Sequence, residues 1–152
     1  EGYEYGIVDE PGLPMLEEAL EKYPRLKFIG HSQPFWHEIS QDAKPDLKSR
    51  MEWGKGPVKE GGRLVCLMRN YKNLYADLSA NSGGCAIMRD EKFGLQFLEE
   101  FQDRLMFGTD MVNTDMVFPL GEWLDRQYQE GKLSVQAYRK ICFENAKKIF
   151  QL

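Results

Sequence analysis

Arg104-Leu105-Met106-Phe107-Gly108-Thr109-Asp110 is the stretch that decides the architecture. Its apolar centre is too short for a helix and stops abruptly at Gly-Thr-Asp. It therefore predicts a buried strand with polar groups at its carboxyl end. A helix precedes it: Asp90 is a good N-cap, and Phe93, Leu95, Phe97, Leu98 and Phe101 follow as its apolar residues. The same order occurs twice upstream. Leu13, Leu16, Leu20 and Tyr23 recur at helical spacing, with Pro14 in the first turn, Pro24 as the stop, and Glu17, Glu18, Glu21 and Lys22 facing out. The strand Leu26-Lys27-Phe28-Ile29-Gly30-His31 comes next. A helix over roughly 62–71, burying Leu64, Val65, Leu67 and Met68, leads into the strand Leu74-Tyr75-Ala76-Asp77-Leu78-Ser79. Helix and strand alternate with short turns, which predicts an α/β fold with parallel strands joined by right-handed crossovers.

Outward from these units, residues 40–60 are polar and rich in Lys, Asp, Gly and Pro. They read as one long loop, and such loops are usually functional or disordered. Ala80-Asn81-Ser82-Gly83-Gly84 reads as a small-residue loop. The last third is helical, from Pro119 to Gln129 and again after the cap Ser134. There Leu133 is expected to staple onto Tyr138, and Val135, Tyr138, Ile141, Cys142, Ile149 and Phe150 to form the buried face. No Gly-rich phosphate loop follows a strand, which disfavours a nucleotide-binding doubly wound sheet. An anion at the helix starting near Asp90 is disfavoured by the acidic cap itself.

The 152 residues fit a single domain, 1–152, that can bury a real core. A net charge of −4 gives no electrostatic footprint for nucleic acid. No apolar run is long enough to span a membrane. Glu1-Gly2-Tyr3-Glu4-Tyr5 is acidic and aromatic, unlike a signal peptide. Cys66, Cys85 and Cys142 are widely spaced and form no C-x-x-C pair. Cys66 and Cys142 read as reduced core thiols, and a cytoplasmic location is expected.

In parallel α/β folds the ligand site forms at the carboxyl ends of the strands. Here those ends are His31-Ser32-Gln33, Asp77-Leu78-Ser79-Ala80-Asn81 and Gly108-Thr109-Asp110. Period-two alternation puts Asp110 on one face with Gly108 and Met106, His31 with Ile29, and Ser79 with Asp77 and Tyr75. A carboxylate and an imidazole at one mouth suit metal-assisted hydrolysis, because a metal lowers the pKa of bound water toward neutrality. Each candidate also has a structural reading. Asp110 can cap a turn, and His31 can be a buried histidine bonded to backbone. Asp77 is expected to pair with a structural partner such as Lys27. His37 reads as a surface or helix-start residue. Arg89 opens a helix or reaches an anionic substrate.

Together these strand ends resemble a family. Phe28-Ile29-Gly30-His31-Ser32 resembles the sixth-strand histidine motif of the amidohydrolase superfamily, and Asn73 to Ala80 is similar to its seventh strand. Arg104 to Asp110 resembles the eighth strand, whose aspartate is the signature catalytic residue. Glu144-Asn145-Ala146-Lys147-Lys148-Ile149-Phe150 resembles the closing helix. The closest branch is the amidohydrolase 2 group of metal-dependent hydrolases and nonoxidative decarboxylases. The resemblance implies part of a TIM (β/α)8 barrel, roughly strands 6–8 with their helices. It makes Asp110 and His31 the catalytic and metal-binding residues, with Ser79 and Asn81 lining the pocket; Arg89 is the further substrate-side candidate, on its own charge. A divalent metal, zinc first, is the implied cofactor, and a small molecule the substrate.

The sequence departs from that pattern in two ways. Only His31 and His37 are present, so the family's first-strand His-x-His pair is absent. The length also falls short of a full barrel, typically about 250 residues. The chain is thus expected to be the C-terminal part of a longer barrel, or to associate as a homo-oligomer, since a three-stranded piece leaves open edges. The competing readings are a non-catalytic barrel remnant with a structural or interaction role, and a nonoxidative decarboxylase of a small acid.

Overall fold

The computed structural model describes residues 6–152. The reading of Glu1 to Tyr5 as unlike a signal peptide lies outside the described residues. Three parallel strands, β1 (Phe28–Gly30), β2 (Leu74–Asp77) and β3 (Leu105–Met106), form an open sheet in that order. Ile29 pairs with Tyr75, and Asp77 with Met106. β1 and β3 are shorter than predicted at both ends and β2 at its carboxyl end, because the flanking residues turn away into loops and helix starts. Among the described residues the sheet is open, which agrees with part of an α/β fold and does not show a closed barrel.

The two faces of the sheet differ sharply. Leu74, Ala76, Leu78 and Leu105 are buried, and they face the core with Leu64, Leu67, Met68, Ile87 and Leu98. Phe35, Trp36 and Phe97 extend that core through edge-to-face contacts at 5.4 and 6.1 Å, the offset geometry aromatic rings prefer. Ile29, Tyr75 and Asp77 lie on the opposite, half-exposed face.

Helix α1 (Pro14–Lys22) starts after Leu13, which takes a left-handed φ of 57° and is fully buried outside the helix. The cap is Asp9, not a residue next to the helix. Its carboxylate accepts from Met15 N–H at 3.1 Å and Leu16 N–H at 2.9 Å. Glu17 does not simply face solvent, since it pairs with Arg63 and accepts from the Tyr71 hydroxyl. Tyr23 is half exposed.

Residues 40–60 are held as a defined loop. They contain a short helix, α3 (Leu47–Arg50), capped by Asp46. Buried Arg50 donates to the Asp9 carbonyl at 2.7 Å, and Gln41 N–H donates to the Lys59 carbonyl. Helix α4 (Arg63–Asn70) buries the four residues predicted for it. Helix α2 (Ser32–His37) follows β1 directly, and α5 (Ser82–Met88) starts inside the stretch Ala80 to Gly84 that was expected to be a loop. Glycines lower helix propensity, but α5 needs them. A Cβ at Gly83 would stand 2.6 Å from the Leu78 Cα.

Helix α6 (Glu91–Glu100) is capped by Asp90 as predicted, through Phe93 N–H at 3.1 Å. Helix α7 (Pro119–Gln129) also has the predicted bounds. The last helix begins as α8 (Val135–Arg139) with Ser134 as its cap. It widens into one π-helical turn, Lys140–Glu144, and continues as α9 (Asn145–Phe150). The wider turn shifts the phase of the residues after it, and Phe150 is exposed rather than buried; Val135, ahead of the turn at the start of α8, is exposed as well, while Ile141 is fully buried.

That π turn serves the sheet. Phe107 N–H, which points away from β2, donates to the Ile141 carbonyl at 2.8 Å. The buried Asn145 amide donates to the carbonyls of Gln102 at 2.6 Å and Leu105 at 2.8 Å. Side groups of the helix thus occupy the outer edge of β3. On the far side of the sheet, β1 has no further strand among the described residues. Among those residues no helix is long and apolar enough to cross a membrane. The three cysteines are free, and burial pushes the Cys142 thiol up to about 11.

Candidate functional site

The half-exposed face of the sheet gathers polar groups at its carboxyl end. His31 ends β1 in extended backbone, at φ −150°. The register continues from Gly30–Ala76, which sets His31 beside Asp77 on the neighbouring strand. His31 Nδ1 lies 3.0 and 3.2 Å from the two Asp77 carboxylate oxygens. An ionised carboxylate only accepts, so in this bond Nδ1 is the donor and Nε2 is the nitrogen turned to the cavity. Nε2 faces Asp110, whose Oδ2 stands 3.8 Å away. That gap is too long for a hydrogen bond.

Asp77 is therefore a site-face residue whose partner is His31, and not Lys27. The Lys27 ammonium lies over the Tyr75 ring instead, 6.0 Å from its centroid. The Asp77 carboxylate also accepts from the Ser79 hydroxyl and from Ser79 N–H at 3.1 Å. Ser79 Oγ approaches His31 at 3.3 Å on the same nitrogen that Asp77 holds. A nucleophile–base–acid relay needs the hydroxyl and the carboxylate on opposite ring nitrogens, so this trio is not one. Trp36 Nε1 fixes the strand from behind by donating to the Asp77 carbonyl at 3.1 Å.

Asp110 follows β3 after Gly108 and adopts a left-handed φ of 52°. Such backbone is tolerated by aspartate and is uncommon for other side chains. Beside these groups is an open cavity of about 410 Å³. His31, Asp77, Ser79 and Asp110 form its polar side, and Ile29, Met106 and Phe150 its apolar side.

The other expected site residues lie elsewhere. Asn81 is left-handed, at φ 54°, and its amide donates to the Val117 carbonyl at 3.1 Å. It ties the loop after β2 to the loop after β3 and does not line the cavity. Arg89 ends α5 rather than opening a helix, and lines a different cavity. His37 closes α2, with Nε2 2.8 Å from the Lys44 carbonyl. Asp77 is the site residue the sequence reading placed on the right face but gave the wrong partner. Trp36 carried no signal for its role.

The donor set can be tested against the divalent metal that the sequence resemblance implies. His31 Nε2 and Asp110 Oδ2 are 3.8 Å apart. Tetrahedral zinc with bonds of about 2 Å holds two ligand atoms about 3.3 Å apart, so one ion would reach both after a side-chain shift of about half an ångström. The Asp77 contact on Nδ1 is the usual outer partner of a metal-binding histidine. Asp77 itself lies on the far side of the ring. Among the described residues no cluster of three His, Cys, Asp or Glu side chains could hold a metal. The chain thus fits as two donors of a larger set.

No curated protein and no solved structure matches the chain. A family model does match it, over residues 7–152, and that model is described as amidohydrolase. The match spans all three strands, the cavity face and the closing helix. The chain belongs to the amidohydrolase family.

Proposed function

We propose that this chain supplies the Asp77–His31–Asp110 side of a hydrolase site for a small molecule. The observation that carries the reading is the line of three groups across the strand ends. Asp77 fixes the imidazole through Nδ1, and Nε2 is left facing the Asp110 carboxylate across the cavity. A fixed imidazole can hold or pass a proton at Nε2. The Asp110 carboxylate can accept a proton from the attacking water. Ser79 buffers the Asp77 carboxylate, and the apolar wall of Ile29, Met106 and Phe150 excludes water from one side.

His31 and Asp110 would hold a divalent metal, zinc first, with the remaining ligands supplied by a second polypeptide segment. When bound, the metal would lower the pKa of a water molecule toward neutrality. The open β1 edge is where a further strand would join, either from another copy of this chain or from the rest of a barrel.

A non-catalytic role is the second reading. It is favoured by the convergence of only two donors among the described residues. Metal content after expression with added zinc and manganese separates the two. The first reading expects about one metal per chain, lost in Asp110→Asn and in His31→Asn. Metal held as tightly in Asp110→Asn and His31→Asn as in the unaltered chain would refute it, and no retained metal in the unaltered chain would refute supply of the missing ligands by another copy and leave them to the rest of a barrel.

A further inference from the structure

Arg89 lines a second cavity, of about 250 Å³, between the loop helices α2 and α5. Its guanidinium is half buried, and burial lowers its pKa. Its one hydrogen bond among the described residues is a long one, 3.5 Å from Nη1 to the Lys55 carbonyl. Nε is enclosed and has no partner. The carboxylates whose fields reach it are Asp42 and Asp90. Both are engaged elsewhere: Asp42 accepts from the Ser40 hydroxyl at 2.6 Å, and Asp90 from the N–H groups of Phe93 and Val58 at 3.1 Å. Asp42 and Asp90 act on the guanidinium only from a distance, since neither forms an ion pair with it among the described residues, and a half-buried guanidinium without a close acceptor is costly. An oxyanion in the cavity would supply that acceptor.

The surrounding loop is shaped around the guanidinium. A Cβ at Gly54 would fall 2.3 Å from Arg89 Nη1, so the main chain passes directly over the charged group. Neighbouring Trp53 lines the same cavity and is half exposed. Lys44 and Lys55 add positive charge to the wall, against Asp42 and Glu52. A planar guanidinium matches a carboxylate in two-point hydrogen bonding, and an exposed indole offers a flat apolar surface for a ring.

We infer that this cavity binds a small planar carboxylate, held by Arg89 and stacked along Trp53. The site is separate from the His31–Asp110 cavity and does not depend on the function proposed for that cavity. The wall between them is thin. Trp36 and Ser82 line this cavity, and each bonds a carbonyl of the site strand, those of Asp77 and Ser79.

The test is calorimetric titration of the chain with benzoate, alongside benzyl alcohol as its neutral counterpart and inorganic phosphate as a non-planar oxyanion. The expected result is one saturable benzoate site per chain. Loss of a charged hydrogen-bonding partner should weaken binding about tenfold or more in Arg89→Gln. Gly54→Ala should do the same by pushing the guanidinium aside, and it decides the matter if Arg89→Gln does not fold. Benzyl alcohol should not bind, and Asp110→Asn should bind benzoate as the unaltered chain does. Three results would overturn the inference: no saturable benzoate binding, unchanged binding in the Arg89 and Gly54 variants, or loss of binding in Asp110→Asn, which would put the ligand in the other cavity. Phosphate binding as tightly as benzoate would overturn the assignment of a planar carboxylate.

Discussion

Replacing Asn145 by Ala tests how the last helix is locked to the sheet. The Asn145 amide is buried and donates to two backbone carbonyls, at 2.6 and 2.8 Å. Each hydrogen bond contributes about 1 kcal/mol net, and a buried acceptor left without a donor adds about 1 kcal/mol or more. The variant should therefore lose about 2–4 kcal/mol. For a domain of this size each kcal/mol lowers Tm by about 2–4 °C, so the expected fall is roughly 5–15 °C. Equilibrium urea unfolding, followed by tryptophan fluorescence and circular dichroism, should show a lower midpoint with an unchanged slope. Asn145→Asp should be worse than Ala at neutral pH, because it keeps no donor and sets a negative charge against two carbonyl oxygens. It should recover in part on acidification, when the carboxyl gains a proton to donate. A loss below about 0.5 kcal/mol, the range of an ordinary surface change, would refute the reasoning and mean that the β3 edge finds other donors.

Three further predictions follow from the site and its supports. Asp77→Ala frees the His31 ring, so bound metal should weaken by about 10–100-fold, as loss of an outer partner typically does; competition with a chelator reads this, and unaltered affinity would show that Asp77 does not orient the ring. The carboxyl of Asp90 is held below its usual range, first by the Phe93 N–H and then by the Val58 N–H. A depressed folded pKa means the stabilisation is full above the unfolded value near 4 and fades as pH falls through the folded one. Asp90→Asn should therefore be less sensitive to acid in that window, and stability–pH curves that run parallel for the two proteins would count against the cap. Burial that raises Cys142 to about 11 should make it react with a thiol reagent at pH 8 far more slowly than a free cysteine; labelling at the rate of a model thiol would contradict this.

Much of the fold is legible in the sequence because helical faces declare themselves. Leu64, Leu67 and Met68 are buried where their spacing puts them, and Asp90 caps where it stands. The polar face at the strand ends is also legible, since alternation alone sets His31, Asp77, Ser79 and Asp110 toward one side. What alternation cannot supply is register. Lys27 and His31 lie on the same face of the same strand, and only the pairing of Ile29 with Tyr75 decides which one meets Asp77. Two other features are hidden for similar reasons. Asp9 caps α1 across a left-handed turn at Leu13 instead of from the adjoining position. Helix α5 draws its stability from close packing of glycine on Leu78, where local propensity argues for loop. The π turn is invisible to a count based on 3.6 residues, and the exposed Phe150 is the result.

The helix that takes up the outer side of β3 has a consequence for stoichiometry. A sheet that offers two free edges can add copies without end, which is how fibres grow. Among the described residues this one offers a single free edge, at β1. If copies meet edge to edge, a two-fold pairing consumes both available edges and nothing remains to extend it, so growth stops at the dimer. Asn145 and the Ile141 carbonyl then act as a chain terminator. Loosening them would give each molecule two sticky ends and turn a finite particle into an open-ended polymer.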